Sequence, residues 1–140
     1  MVGLKYSLAD MAKTLDYLAL KPGKFAVIDS ADHLFLSLLM RGCEGTVSGV
    51  AGGDPEPFVA VYRAFKEGDH PRTMASQAIG VRIARVLKSS SNLAYHKEAL
   101  QQRGIDAHHM RKPHLDLADK ERSQLARALE EVEREFPSSG

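Results

Sequence analysis

The sequence predicts a parallel α/β fold that ends in a helical tail. Three short segments, Val2 to Tyr6, Lys24 to Asp29 and Gly45 to Val50, are almost wholly apolar, and a segment of helical periodicity follows each. Strands that are apolar throughout belong to parallel sheets covered by helices. Strand signals stop after Gly68, and the remainder reads as helices. The βα repeat is about 20 residues, which suits a (β/α) barrel at least as well as an open sheet.

The elements follow in order. After the first strand, Ser7 and Asp10 form a capping-box-like pair. Leu8, Met11, Ala12, Leu15 and Leu18 then recur as one apolar stripe. Pro22-Gly23 breaks the chain before the second strand. Asp29, Ser30 or Asp32 is placed to cap a helix running to Arg41, with Gly42 as its stop. Beyond the third strand, Ala51-Gly52-Gly53-Asp54 reads as a flexible turn. Asp54 is an expected N-cap and Pro55 fits the first helical turn. Phe58, Val61, Tyr62 and Phe65 are the expected buried stripe of that helix.

The tail contains three helices. Pro71 to Ser89 carries a wide apolar face that includes Met74, Ala75, Ala78, Val81, Ile83, Ala84, Val86 and Leu87. Ser89 to Asn92 is a break and a cap, and Leu93 to Arg103 is the next helix, ended by Gly104. Asp116 or Ala118 opens the last helix, with Leu125, Leu129, Val132 and Phe136 on its inner face. Residues 1–68 therefore form the βα units and residues 69–140 a helical extension packed on them as one structural unit.

Bulk properties narrow the function classes. The chain has 140 residues, enough for one domain. Its 19 Lys+Arg against 18 Asp+Glu give a formal net charge of +1, which argues against nucleic acid or an anionic membrane as partner. Trp is absent and aromatics make up 6%, which argues against stacking on single strands. Cys43 alone excludes an internal disulfide and suits a reducing compartment. No run approaches a membrane span and no secretory leader is legible, so a cytoplasmic location is expected.

Candidate chemistry lies at the C-terminal ends of the strands, where parallel α/β folds place ligands. Lys5 ends the first strand. An ammonium there reaches solvent, meets an anion or loses its proton, and a neutral amine attacks ketones to form a Schiff base. Asp29, Ser30, Asp32 and Ser48 add carboxylates and hydroxyls, and Gly52-Gly53 a glycine-rich turn. This set suits an anionic, carbonyl-bearing small molecule. Each residue also has a plain reading: a surface lysine, helix caps, a core hydroxyl, a turn. His108, His109 and His114 lack the spacing of a metal site, so no metal is expected. Gly52-Gly53 matches neither nucleotide fingerprint.

The run Val2-Gly3-Leu4-Lys5-Tyr6-Ser7-Leu8-Ala9-Asp10 resembles the Schiff-base lysine segment of the dihydrodipicolinate synthase / N-acetylneuraminate lyase family. The likeness continues in register. Phe25 to Asp32 resembles the family's seventh barrel strand and its loop, Gly45 to Gly53 the eighth strand, and Pro57 to Gly68 the eighth helix. Asn92 to Gly104 and Pro113 to Ala128 resemble its C-terminal helices. The resemblance implies a partial (β/α)8 TIM barrel, strands six to eight, followed by a three-helix extension. It implies a class I aldolase or lyase in which Lys5 forms an imine with pyruvate or a related 2-keto acid, with no cofactor. Ser30, Asp32, Val47 and Ser48 match positions that hold the substrate.

This sequence departs from the family pattern in several places. Ser30 stands where the family usually has Gly, and His33 where the sialic acid lyase branch has Glu. The family's Gly-Thr-Thr carboxylate-binding segment and its relay tyrosine do not occur. Three strands do not close a barrel, which takes eight, and they leave two apolar edges. The chain is therefore expected to act with a complementing N-terminal half or as a homo-oligomer. The alternative is an inactive half-barrel serving as an oligomerisation or binding module.

Overall fold

The computed structural model describes residues 2–20 and 22–135 of the chain. The elements are β1 (Gly3–Tyr6), α1 (Met11–Leu20), β2 (Ala26–Asp29), a 3-10 turn (Asp32–Leu34), α2 (Phe35–Met40), β3 (Gly45–Thr46), α3 (Val50–Gly53), α4 (Glu56–Glu67), α5 (His70–Val86), α6 (Leu93–Gln102) and α7 (Asp119–Glu135). The strands form one parallel sheet in the order β1-β2-β3. Lys5 pairs with Ile28 and Ile28 with Gly45; one step on, Tyr6 pairs with Asp29 and Asp29 with Thr46.

Because side chains alternate across a strand, this register sorts the sheet into two faces. Leu4, Tyr6, Val27 and Asp29 point toward the helices. Val27 is 0% exposed and joins Ala31, Leu38 and Cys43 in a small core covered by Leu4, Met11, Tyr17 and Leu18. The Tyr6 ring meets Tyr17 of α1 edge-on at 5.2 Å. Lys5, Ile28 and Gly45 share the opposite, uncovered face. The strands are therefore covered on one face, where their apolar composition predicted two. Gly3 allows the close approach of β1 to β2, because a Cβ there would lie 2.6 Å from the Ala26 carbonyl oxygen.

The larger core belongs to the helices. Phe35, Val50, Phe58, Val61, Ile83 and Leu87 pack with Leu125, Leu129 and Val132 of α7. Several caps lie where the sequence placed them. Gly68 ends α4 at φ 75, and Asn92 accepts the Ala94 N–H over 3.0 Å. Phe136 and the residues after it lie outside the described residues.

Other expectations are corrected. The expected strand Gly45 to Val50 leaves the ladder at Thr46, because β2 ends at Asp29 and offers no further partner. Ser48 Oγ instead accepts the Ala51 N–H over 3.0 Å, and the expected turn Ala51 to Asp54 becomes α3. Asp10 alone starts α1, accepting the Lys13 N–H over 3.1 Å, and Ser7 lies outside the helix. The α1 stripe is rotated: Leu8 and Leu15 are exposed, while Thr14 is 0% exposed. Tyr62 and Met74 are likewise exposed, because α4 and α5 turn Val61 and Ile79 inward. Asp54 does not cap α4. Its carboxylate lies 3.5 Å from Arg103 instead.

Candidate functional site

Lys5 is exposed at the C-terminal end of β1, on the uncovered face of the sheet. Val47, two residues past Gly45, donates its N–H to the Asp29 carbonyl over 2.9 Å and is 51% exposed. Alternation puts it on the face that carries Lys5. These two residues therefore border the same open surface.

The loop after β2 is organised by Asp29, which is 1% exposed. Its Oδ1 accepts the N–H groups of Ser30 and Ala31 at 2.7 and 2.8 Å, and its Oδ2 accepts the Thr14 hydroxyl at 3.1 Å. None of Asp29, Ser30 and Asp32 caps the following helix, because Ala31 holds that position without a side-chain bond. The hydrogen bonds from Ser30 and Ala31 turn the chain at the sheet end and leave Ser30 half-buried there.

Asp32 is driven further in, at 7% exposure. Its backbone carbonyl accepts from Gln77 of α5 over 2.9 Å, while Gln77 Oε1 accepts the Leu36 N–H over 3.0 Å. The Asp32 carboxylate neighbours the Ser48 hydroxyl. Burial holds its pKa above the usual carboxylate range; Ser48, His33 and His96 oppose that shift. The structure thus brings Asp32 and Ser48 together behind the strand ends, and keeps Lys5 and Val47 on the open side.

Cys43 is buried, and desolvation assisted by Asp29 pushes its thiol up to about 11, so it is an inert core residue. His109 pairs with Asp116 at 2.8 Å and His108 with Asp106 at 3.2 Å, so these rings tie down their own loop. No cluster of three His, Cys, Asp or Glu with metal-binding geometry occurs among the described residues. No described helix is long and apolar enough to cross a membrane.

Two cavities, about 380 and 410 Å³, lie among the helices and away from Lys5, with Asp54, Arg103 and Glu133 lining both. A three-stranded sheet is too narrow to wall its own face, so concavity appears where α4, α6 and α7 meet.

The sequence reading missed Thr14, Gln77 and His96. The last two join the C-terminal helices to the strand-end loops. His96 was legible as a buried residue, since Asn92 fixes the start of α6 and His96 then falls three residues before Ala99 on its inner face.

The family model described as the Dihydrodipicolinate synthetase family matches residues 1–132. An uncharacterised DapA-like lyase of Halobacterium salinarum is 37% identical over 102 residues, covering 73% of this chain and 34% of that protein. The 4-hydroxy-tetrahydrodipicolinate synthase of Moorella thermoacetica is 31% identical over 129 residues, covering 92% of this chain and 44% of its own length. Among solved structures, a variant of the Sulfolobus solfataricus 2-keto-3-deoxygluconate aldolase superposes with a TM-score of 0.86 at 22% identity, over 97% of this chain and 46% of the aldolase. The N-acetylneuraminate lyase of Aliivibrio salmonicida gives 0.82 at 23% identity, over 94% of this chain and 44% of the lyase. At those identities the superpositions speak for the fold. The sequence given spans less than half the length of these relatives. With a parallel sheet, a lysine at the end of its first strand and a family match over nearly the whole length, the chain belongs to the Dihydrodipicolinate synthetase family.

Proposed function

We propose that this chain supplies the Schiff-base lysine and part of the substrate pocket of a lyase or aldolase acting on pyruvate or a related 2-keto acid. The position of Lys5 carries the reading. It lies one residue before the end of β1, on the uncovered face of the sheet, beside the strand ends that bear Ser30, Asp32, Val47 and Ser48. One family member, a prophage protein of Escherichia coli, has been solved with pyruvate bound.

The chemistry follows from an amine and a ketone. The neutral Lys5 Nζ adds to the C2 carbonyl, the carbonyl oxygen takes up two protons and leaves as water, and a C=N bond to lysine replaces the C=O bond. The protonated imine then draws electrons from C3. Loss of a C3 proton gives an enamine whose C3 attacks a second carbonyl; the reverse breaks that carbon–carbon bond. Hydroxyls such as Ser48 and the backbone N–H groups of the strand ends suit a 2-keto acid's carboxylate.

In this reading the three βα units of residues 1–68 correspond to strands six to eight of a (β/α)8 barrel, and residues 69–140 are the extension packed on them. The β1 and β3 edges then pair with a complementing N-terminal half or with further copies of the chain. The exposure of Lys5 follows directly: its pocket walls belong to that missing part.

The test is borohydride reduction in the presence of pyruvate, read by intact mass and peptide mapping, with circular dichroism as a folding control. A reduced adduct on Lys5, absent in Lys5→Ala, is the expected result. A folded chain that stays unmodified both alone and mixed with the N-terminal half of a relative overturns the reading and leaves an inactive binding module.

A further inference from the structure

Behind the proposed pocket lies a buried polar group that the Schiff-base chemistry does not use. His96 of α6 is 8% exposed, and among the described residues neither ring nitrogen completes a hydrogen bond. Asp32, 7% exposed, has an equally unpartnered Oδ1. Buried polar atoms without partners are rare and are costly to keep. The carbonyls of Gly49 and Leu87 lie against the His96 ring, and Asp32 is the charged group facing it. Around Asp32 the facing groups are Ser48, His33 and His96.

These surroundings consist of acceptors. A neutral imidazole carries one N–H and can turn it toward one of the two carbonyls; the imidazolium carries two and can turn them toward both. Protonation also places a positive charge opposite the Asp32 carboxylate. Burial acts the other way and holds the His96 pKa below its ordinary value. The two carbonyls and the Asp32 charge oppose that shift. Its position matters as much. The backbone of His96 packs against α3, with its carbonyl 4.0 Å from a Cβ placed on Gly53, and α3 begins where Ser48 turns the chain.

We propose that His96 is a positioning residue for the 2-keto acid site, holding the Ser48-Gly49 turn and the Asp32 side chain from the helical extension through its buried ring. This rests on the reading of Ser48 and Asp32 as substrate-binding residues. The clamp ties the C-terminal helices to the strand ends, so the extension sets the pocket geometry as well as covering the fold.

The experiment is an NMR titration of the intact chain, labelled at its backbone amides and histidine rings, from about pH 4 to 9. His96 is assigned by difference in His96→Asn. The amides of Gly49, Ala51 and Asp32 are expected to shift with the midpoint of the His96 ring. Asp32→Asn is expected to lower that midpoint, because it removes the carboxylate that favours the imidazolium. In His96→Asn those amide shifts are expected to vanish while the circular dichroism spectrum is retained. An unchanged ring midpoint in Asp32→Asn, or loop amides that titrate identically without His96, overturns the proposal. Should His96→Asn fail to fold, His96→Gln supplies the assignment and the Asp32→Asn midpoint decides. Pyruvate trapping separates the two readings. If the wild type forms the Lys5 adduct, His96→Asn is expected to slow it severalfold and flatten its pH profile, and an unaltered profile overturns the pocket role. If the wild type forms no adduct either alone or mixed with the N-terminal half of a relative, the Schiff-base reading of this chain falls while the titration still decides whether the clamp exists.

Discussion

The Thr14 hydroxyl of α1 donates to the Asp29 carboxylate at the end of β2 over 3.1 Å, and both side chains are buried. The bond joins the first helix to the loop that carries Ser30 and Asp32. Asp29 also accepts two backbone N–H groups, so its two oxygens take three donors. Removing one donor from a buried carboxylate leaves an unpaired acceptor, and typical costs are ~1–3 kcal/mol. Thr14→Val is expected to destabilise the chain by about that amount, and Asp29→Ala by more. Urea unfolding followed by circular dichroism measures both. Equal midpoints for wild type and Thr14→Val would show that the contact is not a structural tie.

Gly3 sets the spacing between β1 and β2. In Gly3→Ala the new methyl would lie 2.6 Å from the Ala26 carbonyl oxygen, a backbone atom that cannot rotate away. Overpacking typically costs ~1–3 kcal/mol, and this substitution is expected at the top of that range or beyond. Because Lys5 lies two residues on, the β1 amides should lose hydrogen-exchange protection first. Full protection of β1 in the variant would contradict the close approach.

Asp54 introduces a pH dependence. It is 5% exposed, and burial, followed by its hydrogen bond and repulsion with Glu56, pushes its carboxyl up to about 7; Arg103 opposes the shift. The folded state therefore binds the Asp54 proton more tightly than the unfolded state does. Stability from this group is present at low pH and declines as pH rises from about 4 to about 7. Asp54→Asn keeps the neutral hydrogen-bonding shape, and is expected to flatten the decline and raise the melting temperature at pH 8 relative to wild type. Glu56, held low by Arg103 and by Asp54, contributes the opposite slope at more acid pH. Melts of both proteins across this range decide it; parallel curves would contradict the assignment.

The last helix is held by its apolar face. Leu125, Leu129 and Val132 are each at most 7% exposed, and they join the main core with Ile83 and Leu87. Leu129→Ala is expected to destabilise the chain by ~2–5 kcal/mol, the usual range for such truncations in a closed core. A loss below ~1 kcal/mol, measured by urea unfolding, would mean that α7 is only loosely docked.

The site was partly legible before folding. Lys5, Ser30, Asp32, Val47 and Ser48 were read from strand-end positions and from the family resemblance, and the family itself is borne out. The sequence reading placed Asp32 and Ser48 at separate strand ends; folding brings them together with His96, which lies 48 positions beyond Ser48. No local pattern announces a helix residue reaching across to two loops.

Features that depend on a few neighbouring residues were settled along the chain itself. Asn92 starts α6, Gly68 stops α4 with a positive φ, and the spacing of Leu125, Leu129 and Val132 defines the inner face of α7. Caps, turns and helical periodicity act over three or four residues, so their energies are present before any tertiary contact forms. Features that need a partner from elsewhere were decided by folding. The β2–β3 ladder stops at Thr46 because β2 runs out, Leu15 faces outward because Thr14 finds Asp29, and Asp54 leaves its capping position for Arg103. In each case a buried polar group or an unpaired backbone outweighs a local preference, because leaving either unsatisfied costs more than the preference is worth.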